Sequence, residues 1–322
     1  MKTISNKKLL EAILKAESVA VITHIHPDAD AIGSMLAICH IIKQLNKKAV
    51  PYCQDPVPKQ LMYLPYSDTV RTPDSYKNDA DLIISIDASD KERIGAGSKI
   101  FDSNPNTVQI DHHVTNTRFA KINEVDIKVA ASGMLVFRLA KALNVKIDDV
   151  LAQLLYAAIS GDTGNFCFPS VTAETFYQMG ELMEAGLDLA FNAQQIHLIN
   201  TEGKLRITCA ALSTLAFHMG GKFTSMHLYQ KDFANCMASR EESDGIVNLG
   251  LYIPNVKAAY LATEQEDGIK FSLRCLEPYD ISSVAKKFGG GGHRLASGCS
   301  INDSVENAML KMNAAIADML KN

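Results

Sequence analysis

The sequence has no tryptophan, no run of 18 or more apolar residues and no close pair of cysteines. The missing apolar run excludes a membrane-spanning helix, and the first residues predict an amphipathic helix instead of a signal peptide. An odd number of scattered cysteines, seven in all, argues against a disulfide framework or a zinc ribbon. We therefore expect a cytoplasmic protein without a membrane partner, in which the cysteines are reduced packing residues.

The sequence also lacks an excess of positive charge. Its 32 Lys and Arg face 36 Asp and Glu, for a net charge of -4. A surface that binds long duplex DNA needs clustered basic residues to release counterions, so this class of partner is excluded, whereas short or small anionic substrates are not. With 47% apolar and 21% charged residues, the 322-residue chain has an ordinary globular composition and is long enough for two domains.

The first half of the chain alternates strand patterns with helix patterns. Four apolar, β-branched segments predict strands near residues 19–23, 48–52, 81–86 and 107–110, and segments with helical spacing lie between and after them. Gly, Ser, Asn and Pro predict a loop over residues 95–105. This order is typical of a parallel sheet with helices on both faces, so we predict an α/β domain over residues 1–190.

The pattern changes after Gly186. Helical spacing continues to about residue 217, and strand patterns begin at residue 222. Asp267 and Gly268 predict a hairpin turn between two of these strands, and two predicted helices follow. We predict a helical connector over residues 191–215 and a smaller α/β substrate-binding domain over residues 216–322. A cleft between the two domains is the expected substrate site.

The turn after the first predicted strand carries His24, Asp28 and Asp30. In open α/β sheets, ligands bind at the carboxyl ends of the strands. Asp30 could instead be a helix N-cap, but one cap does not explain three ligand-type residues within seven positions. Pro27 restricts the loop and favours an extended backbone at His26, which we expect to line the site without binding a metal.

Three further clusters have related contexts. Asp87 ends one apolar strand, Asp111, His112 and His113 end another, and Asp162 ends a helix. Taken alone, each is more often a turn, cap or surface feature, but together they predict side chains that converge at one edge of the sheet. Crowded carboxylates would repel one another and become protonated, whereas divalent cations would keep them ionised. The sequence therefore predicts a two-metal site.

The mixture of ligands constrains the metal. Carboxylates combined with imidazoles suit Mn²⁺, Co²⁺ or catalytic Zn²⁺, whereas Mg²⁺ prefers oxygen ligands and bound water. Two Mn²⁺ ions are our first choice, with Co²⁺, Mg²⁺ and Zn²⁺ as alternatives. Ions about 3.5 to 4 Å apart activate water and clamp the attacking and leaving oxygens of phosphoryl groups. Asp87 is the natural bridging carboxylate.

These residues carry a resemblance to a known family. His24-x-x-x-Asp28-x-Asp30, the Asp87 strand end, Asp111-His112-His113 and Gly161-Asp162-Thr163-Gly164 resemble the motifs of the DHH phosphoesterase superfamily. FGGGGHRLASG, residues 288–298, resembles the glycine-histidine signature of the DHH-associated C-terminal domain. The pairing of these domains at this length resembles the NrnA-type enzymes, which degrade very short oligoribonucleotides and dephosphorylate 3'-phosphoadenosine 5'-phosphate (pAp).

The resemblance implies roles for the clustered side chains. One Mn²⁺ would be held by His24, Asp28 and Asp87, and the other by Asp30, Asp87, His112 and Asp162. His113 would face the scissile phosphate as an electrostatic stabiliser or proton donor, and Asp111 fits the role of orienting an imidazole by accepting its ring N–H. The catalytic residues predicted in this way are His113, Asp87 and Asp111.

The glycine run near the C-terminus has its own physical interpretation. Consecutive glycines let backbone N–H groups approach an anion, and neighbouring basic side chains add donors. A flexible linker is the alternative, but linkers join domains and this run lies inside one, between a predicted helix and a predicted strand. The predicted substrate-binding residues are Arg274, Gly290, Gly291, Gly292, His293, Arg294 and Ser297.

Several alternatives remain open at this point. Ser132, Met134 and Cys167 depart from the family pattern and leave the substrate preference undecided. A phosphodiesterase for cyclic or linear dinucleotides would use the same site. A manganese pyrophosphatase would need a Ser-Arg-Lys signature, and a RecJ-like exonuclease would need a longer, more basic chain. A nucleotide-binding sensor without turnover is the non-enzymatic alternative, and a homodimer is a further possibility.

Overall fold

The structure is a computed structural model that describes residues 4–321. The chain divides into two compact units, one ending at Ile199 and the other beginning at Asn200. This division falls inside the predicted connector, residues 191–215. Within residues 4–321, no helix combines the length and apolar character needed to cross a membrane.

The first unit contains a five-stranded sheet in the order β2-β1-β3-β4-β5, and every neighbouring pair is parallel. The predicted parallel sheet is thus confirmed. The central strands are buried on both faces, which explains their nearly continuous apolar sequences. Because the strands are parallel, the carboxyl ends of β1, β3 and β4 lie side by side. The strands are β1 Ser18–Ile22, β2 Lys48–Tyr52, β3 Leu82–Ile86, β4 Thr107–Asp111 and β5 Ile122–Val125.

Helical segments cover both faces of this sheet. Alternate residues of β1 show the division, because Val19 and Val21 join the larger core on one face, whereas Ala20 and Ile22 join a smaller core on the other. The helices are α1 Lys7–Lys15, α2 Ala29–Gln44, α3 Ser98–Asp102, α4 Ser132–Ala142, α5 Asp149–Asp162, α6 Ala173–Glu184 and α7 Leu189–Ala193, followed by a π-helical turn over Gln194–Leu198.

Two of these helices pack unusually closely. A Cβ atom on Gly33 of α2 would lie 2.6 Å from the Leu154 carbonyl oxygen of α5, and one on Gly161 would lie 2.6 Å from the Ala29 Cβ atom. Only glycine permits this approach. It brings Asp30, in the first turn of α2, close to Asp162, the last residue of α5.

Two predictions for this unit were wrong or incomplete. The predicted loop over residues 95–105 contains α3, since Ile100 and Phe101 bury their side chains in the smaller core. Tertiary burial here outweighs the local loop signals. The short, half-buried strand β5 was also missed, because four residues carry too little periodicity to be recognised.

The second unit contains a six-stranded sheet in the order β10-β11-β9-β8-β7-β6, in which β7 and β8 are parallel and the other pairs antiparallel. Gln265 pairs with Gly268, so the predicted hairpin turn consists of Glu266 and Asp267. The elements are α8 Glu202–Ser213, β6 Ala216–His218, β7 Phe223–Leu228, α9 Gln230–Cys236, α10 Val247–Leu251, β8 Ala258–Gln265, β9 Gly268–Cys275, α11 Ser282–Lys287, β10 Gly291–His293, β11 Ala296–Ile301 and α12 Val305–Lys321. The smaller α/β second unit is therefore confirmed.

Candidate metal centre

In the turn between β1 and α2, the backbone predicted for His26 was wrong, and the alternative role of Asp30 as an N-cap is also not observed. Asp28, and not Asp30, is the N-cap of α2, because its Oδ1 atom accepts a hydrogen bond of 3.0 Å from the Ala31 N–H. His26 has a φ of 53° and not the extended backbone expected before Pro27. Its N–H donates to Asp55 Oδ2 at 2.7 Å, which stabilises the left-handed conformation, and its side chain is 84% exposed.

Asp87 lies at the middle of the cluster. It follows β3 directly, is buried, and has a φ of 57°, a conformation that non-glycine residues rarely adopt. Its two carboxylate oxygens face different imidazoles: Oδ2 lies 3.6 Å from His24 Nε2, and Oδ1 lies 3.6 Å from His112 Nε2. His24 Nε2 also lies 3.9 Å from Asp28 Oδ2. This arrangement allows Asp87 to be shared between two groups of ligands.

Asp30 is completely buried and is held by the first turn of α4. Its carboxylate accepts hydrogen bonds from the Ser132 and Gly133 backbone N–H groups and from Ser34 Oγ. Ala131, the N-cap of α4, has no side-chain acceptor, so the Asp30 carboxylate takes over the capping function at the positive end of the helix dipole.

Ser34, Ser132 and Gly133 were not predicted as site residues. Ser132 contributes a second contact, because its Oγ donates to Asp87 Oδ1 at 2.9 Å. It therefore connects the two buried carboxylates. A small polar residue at the start of a predicted helix was the available signal, but nothing in the sequence placed that helix against α2.

His112 has a buried nitrogen atom without a hydrogen bond. Its Nε2 atom lies 3.0 Å from Asp162 Oδ2 and 3.8 Å from Asp30 Oδ2, but makes no hydrogen bond of acceptable geometry. An uncompensated buried nitrogen is costly in a folded protein. A cation bound among these three residues would satisfy it.

His113 faces a different partner. Its Nδ1 atom lies 2.8 Å from Asp111 Oδ1, and the other Asp111 oxygen accepts a hydrogen bond from Asn116 Nδ2. Since a carboxylate only accepts, His113 donates its Nδ1–H to Asp111. The ring is 33% exposed, so the His113 Nε2 atom is free to act on a bound molecule.

The acids and imidazoles of the cluster strongly perturb one another. Burial, and then repulsion from Asp87 and Asp162, raises the pKa of Asp28 to about 6 and that of Asp30 well above its usual range. Burial alone would raise the pKa of Asp87, but His24, His112 and His113 lower it to about 2. Burial alone would lower the pKa of His112, but its acidic neighbours raise it to about 10.

The donor set therefore fits divalent metal ions. Three groups each place their ligand atoms within 4.8 Å of one another: His24 with Asp28 and Asp87, Asp30 with His112 and Asp162, and Asp87 with His112 and His113. Carboxylates and imidazoles are good ligands for first-row divalent metals. All six residues predicted as metal ligands belong to these groups.

The residues predicted to bind substrate in the second unit are arranged differently. Arg274, Ala296 and His293 lie in one register across β9, β11 and β10, so the Arg274 and His293 side chains point to the same face of the sheet. Ser297 occupies the next position and points to the other face, where its Oγ donates to the His293 carbonyl oxygen at 2.8 Å. The structure thus separates Ser297 from the other two.

The remaining members of the predicted set also have specific environments. Arg294 lies outside the strands, and its guanidinium forms an ion pair of 3.1 Å with Glu277. The glycine run is not an open loop, because Gly291 and Gly292 belong to the edge strand β10. A Cβ atom on Gly290 would lie 2.2 Å from the Gly298 carbonyl oxygen, whereas one on Gly291 would meet nothing within 4 Å. Close packing explains why residue 290 is a glycine, but it does not explain why residue 291 is one.

Comparison with known proteins agrees with this geometry. Residues 18–159 match the DHH family, N-terminal domain, and residues 234–322 match the DHHA1 domain. The chain is 31% identical to the bifunctional oligoribonuclease and PAP phosphatase NrnA of Thermus thermophilus over 91% of this chain and 88% of that protein. It is 28% identical to the probable bifunctional oligoribonuclease and PAP phosphatase NrnA of Streptococcus mutans, over 94% and 95% of the two chains.

A solved structure is similar along nearly the whole chain. The crystal structure of an exopolyphosphatase-related protein from Bacteroides fragilis has a TM-score of 0.91 and 26% identity, covering 97% of this chain and 95% of that one. The parallel sheet and the acid-imidazole cluster at its carboxyl edge define an α/β protein with a candidate metal centre. More specifically, the chain belongs to the DHH family, and the predicted resemblance is confirmed.

Proposed function

We propose that the chain is a metal-dependent phosphoesterase that hydrolyses short oligoribonucleotides to mononucleotides, pAp to AMP, or both. One observation carries the proposal: Asp87 presents its two carboxylate oxygens to different imidazoles, each of which lies beside a further carboxylate. Such a shared carboxylate is typical of two-metal phosphoryl chemistry. The names of the Thermus thermophilus and Streptococcus mutans relatives support this substrate class.

The six clustered residues would hold two metal ions. His24, Asp28 and Asp87 would hold one, and Asp30, Asp87, His112 and Asp162 the other. Mn²⁺ suits this mixture of oxygen and nitrogen ligands best, and Co²⁺, Mg²⁺ and Zn²⁺ are alternatives. When bound, the ions supply a hydroxide-like nucleophile at neutral pH and offset the charge of the phosphate.

His113 and Asp111 contribute a polarised donor to the reaction. The Nδ1–H donated to Asp111 fixes the orientation of the ring and stabilises the protonated imidazole, and Asn116 holds Asp111 in turn. His113 Nε2 can then stabilise phosphate oxygens or give a proton to the leaving oxygen. In this arrangement, Asp111 acts only through His113.

The second unit would bind a substrate phosphate. Arg274 and His293 point to one face of its sheet, and Gly291 and Gly292 leave the backbone of the edge strand uncovered beside them. Burial lowers the pKa of Arg274, whose guanidinium donates to the Leu273 carbonyl oxygen and to no other acceptor in the described part of the chain. Such a guanidinium can accommodate an anion with several donors. Ser297 would support this site by fixing the His293 backbone through its hydrogen bond. Gly290 would support it by allowing the chain to pack closely against Gly298.

Product release from pAp and from an RNA ladder of two to five nucleotides tests the proposal. We expect hydrolysis with Mn²⁺, none with EDTA, and a loss of about 10³-fold or more in Asp87→Ala. Asp102→Ala, which removes an exposed carboxylate in α3, is the matched control and should retain wild-type activity. Nucleotide binding without hydrolysis by the wild type would indicate a sensor, and a strong preference for linear diadenylate would indicate a dinucleotide phosphodiesterase.

A further inference from the structure

Arg93 is an exposed cation at the edge of the candidate metal centre. It lies in the 3₁₀ segment Glu92–Gly97, and its Nη2 atom is 3.4 Å from His24 Nδ1. Within residues 4–321, no carboxylate lies close enough to its guanidinium to form an ion pair. An arginine beside a strongly acidic cluster thus keeps its charge available.

The backbone of Arg93 is fixed on both sides. Its N–H donates to Asp90 Oδ1 at 2.9 Å, and Asp90 also accepts a hydrogen bond of 2.9 Å from Ser89 Oγ. The Arg93 carbonyl oxygen accepts the Ile25 N–H at 2.8 Å, next to His24. These bonds attach the segment to the β1–α2 turn, so the guanidinium is held near His24 by the fold.

The hydrogen bonding of His24 shows that Arg93 does not donate a hydrogen bond to its imidazole. His24 Nδ1 lies 2.7 Å from the Ile25 carbonyl oxygen, which can only accept, so this nitrogen carries the proton. The Nε2 lone pair then faces Asp28 and Asp87, as a metal ligand requires. A guanidinium has donors and no acceptor, so Arg93 cannot hydrogen-bond to a protonated Nδ1. Within residues 4–321, its donors on this side therefore have no hydrogen-bond acceptor.

We propose that Arg93 is a substrate-binding residue that donates to phosphate oxygens of the nucleotide on the His24 side of the centre. The inference rests on the proposed function and adds a specific residue to it. Five carboxylates, those of Asp28, Asp30, Asp87, Asp111 and Asp162, occupy the centre, and two divalent cations do not fully neutralise them. A phosphate therefore needs a further cation, and the planar fork of arginine matches a pair of phosphate oxygens.

Three variants and three measurements test the role of Arg93. Arg93→Gln removes the charge, Arg93→Lys keeps it without the fork, and Lys91→Gln removes a neighbouring charge whose Nζ pairs with Asp102. We would measure kcat/KM for pAp, together with calorimetric titrations of Mn²⁺ and, in the presence of Mn²⁺, of AMP. We expect kcat/KM of Arg93→Gln to fall about 30-fold and its Kd for AMP to rise about tenfold, because charged hydrogen bonds are lost.

The controls separate substrate binding from a structural role. Mn²⁺ stoichiometry and affinity should be unchanged in Arg93→Gln, Arg93→Lys should be intermediate, and Lys91→Gln should match the wild type. The proposal is overturned if Arg93→Gln binds AMP as tightly as the wild type, or if its Mn²⁺ affinity falls in parallel, because Arg93 would then act by positioning His24. A wild type that binds AMP but hydrolyses nothing would refute the proposed activity, and the AMP titration would still decide the role of Arg93.

Discussion

The two regions that were expected to bind phosphate differ in how the fold arranges them. In the first unit, six residues from the ends of β1, β3, β4 and α5 and from the start of α2 meet within a few ångströms. In the second unit, all predicted residues except Arg274 lie within residues 290–297, yet Ser297 lies on the face of the sheet opposite to Arg274 and His293. Distance along the sequence therefore predicted proximity poorly in both regions.

The position of the residues relative to the strands explains this difference. Parallel strands direct all their carboxyl ends to one edge, so residues just after the strands converge even when many positions separate them. Inside a strand of either type, side chains alternate between two faces, so neighbours in sequence point apart. A cluster at the end of parallel strands is thus assembled by topology, whereas a hairpin places only every second residue on the same face.

The largest expected effect comes from Asp30→Asn in the first region. We expect one of two Mn²⁺ ions to be lost and kcat for pAp to fall by about 10³-fold, because a charged ligand is removed while the side-chain shape is kept. The stability of the metal-free protein should change little, since the loss of repulsion from Asp87 and Asp162 offsets the hydrogen bond from the Ser132 N–H that the amide nitrogen of Asn cannot accept. Calorimetric metal titration and thermal unfolding with and without Mn²⁺ would measure both effects.

The expected result assigns the convergence of the acids to metal binding and not to folding stability. Binding of two Mn²⁺ ions with unchanged affinity in Asp30→Asn would contradict it. A large decrease in the melting temperature of the metal-free variant would also contradict it, since it would mean that the Asp30 carboxylate serves mainly to cap α4.

Two glycines of the second region should respond differently to the same substitution. In Gly290→Ala the new Cβ would lie 2.2 Å from the Gly298 carbonyl oxygen, so we expect a loss of about 3 kcal/mol in the free energy of unfolding. Gly291→Ala meets open space and should leave stability within about 0.5 kcal/mol. If the Gly291 backbone binds phosphate, this second variant should still raise KM for pAp. Denaturant unfolding and steady-state kinetics would show both results, and equal destabilisation of the two variants would argue against the packing explanation.

Ser297→Ala should give the smallest effect on substrate binding. Loss of the hydrogen bond from Ser297 Oγ to the His293 carbonyl oxygen should cost about 1 kcal/mol of stability, and KM for pAp should change less than about threefold. Arg274→Gln is the comparison variant, because Arg274 shares its face with His293, and we expect it to raise KM clearly more. An equal rise in KM for both variants would show that the two faces do not differ in substrate binding.

The sequence predicted the parallel sheet and the residues of the candidate centre because each depends on a local signal. Apolar β-branched segments indicated strands, and polar ligand-type residues directly after them indicated the edge where ligands bind. His24, Asp28, Asp30, Asp87 and His112 were found in this way, whereas Asp162 was found at the end of a predicted helix. Their roles as metal ligands remain predictions.

The residues that were missed depend on contacts between distant segments. Ser132 and Gly133 contact Asp30 only because α4 packs beside α2, and Arg93 lies near His24 only because its segment bonds to Ile25. His26 adopts a positive φ through its bond to Asp55, which overrides the preference imposed by Pro27. Local patterns contain no information about such pairs, so single-sequence reasoning could not have found them.

The left-handed backbone at Asp87 has a consequence for any attempt to stabilise this protein. Glycine would adopt a φ of 57° without steric cost, whereas aspartate holds it at the expense of folding free energy. A selection for more stable variants would therefore favour replacing Asp87, whose carboxylate faces both His24 and His112. Stability and turnover are opposed at this position, and thermostability engineering should leave it fixed.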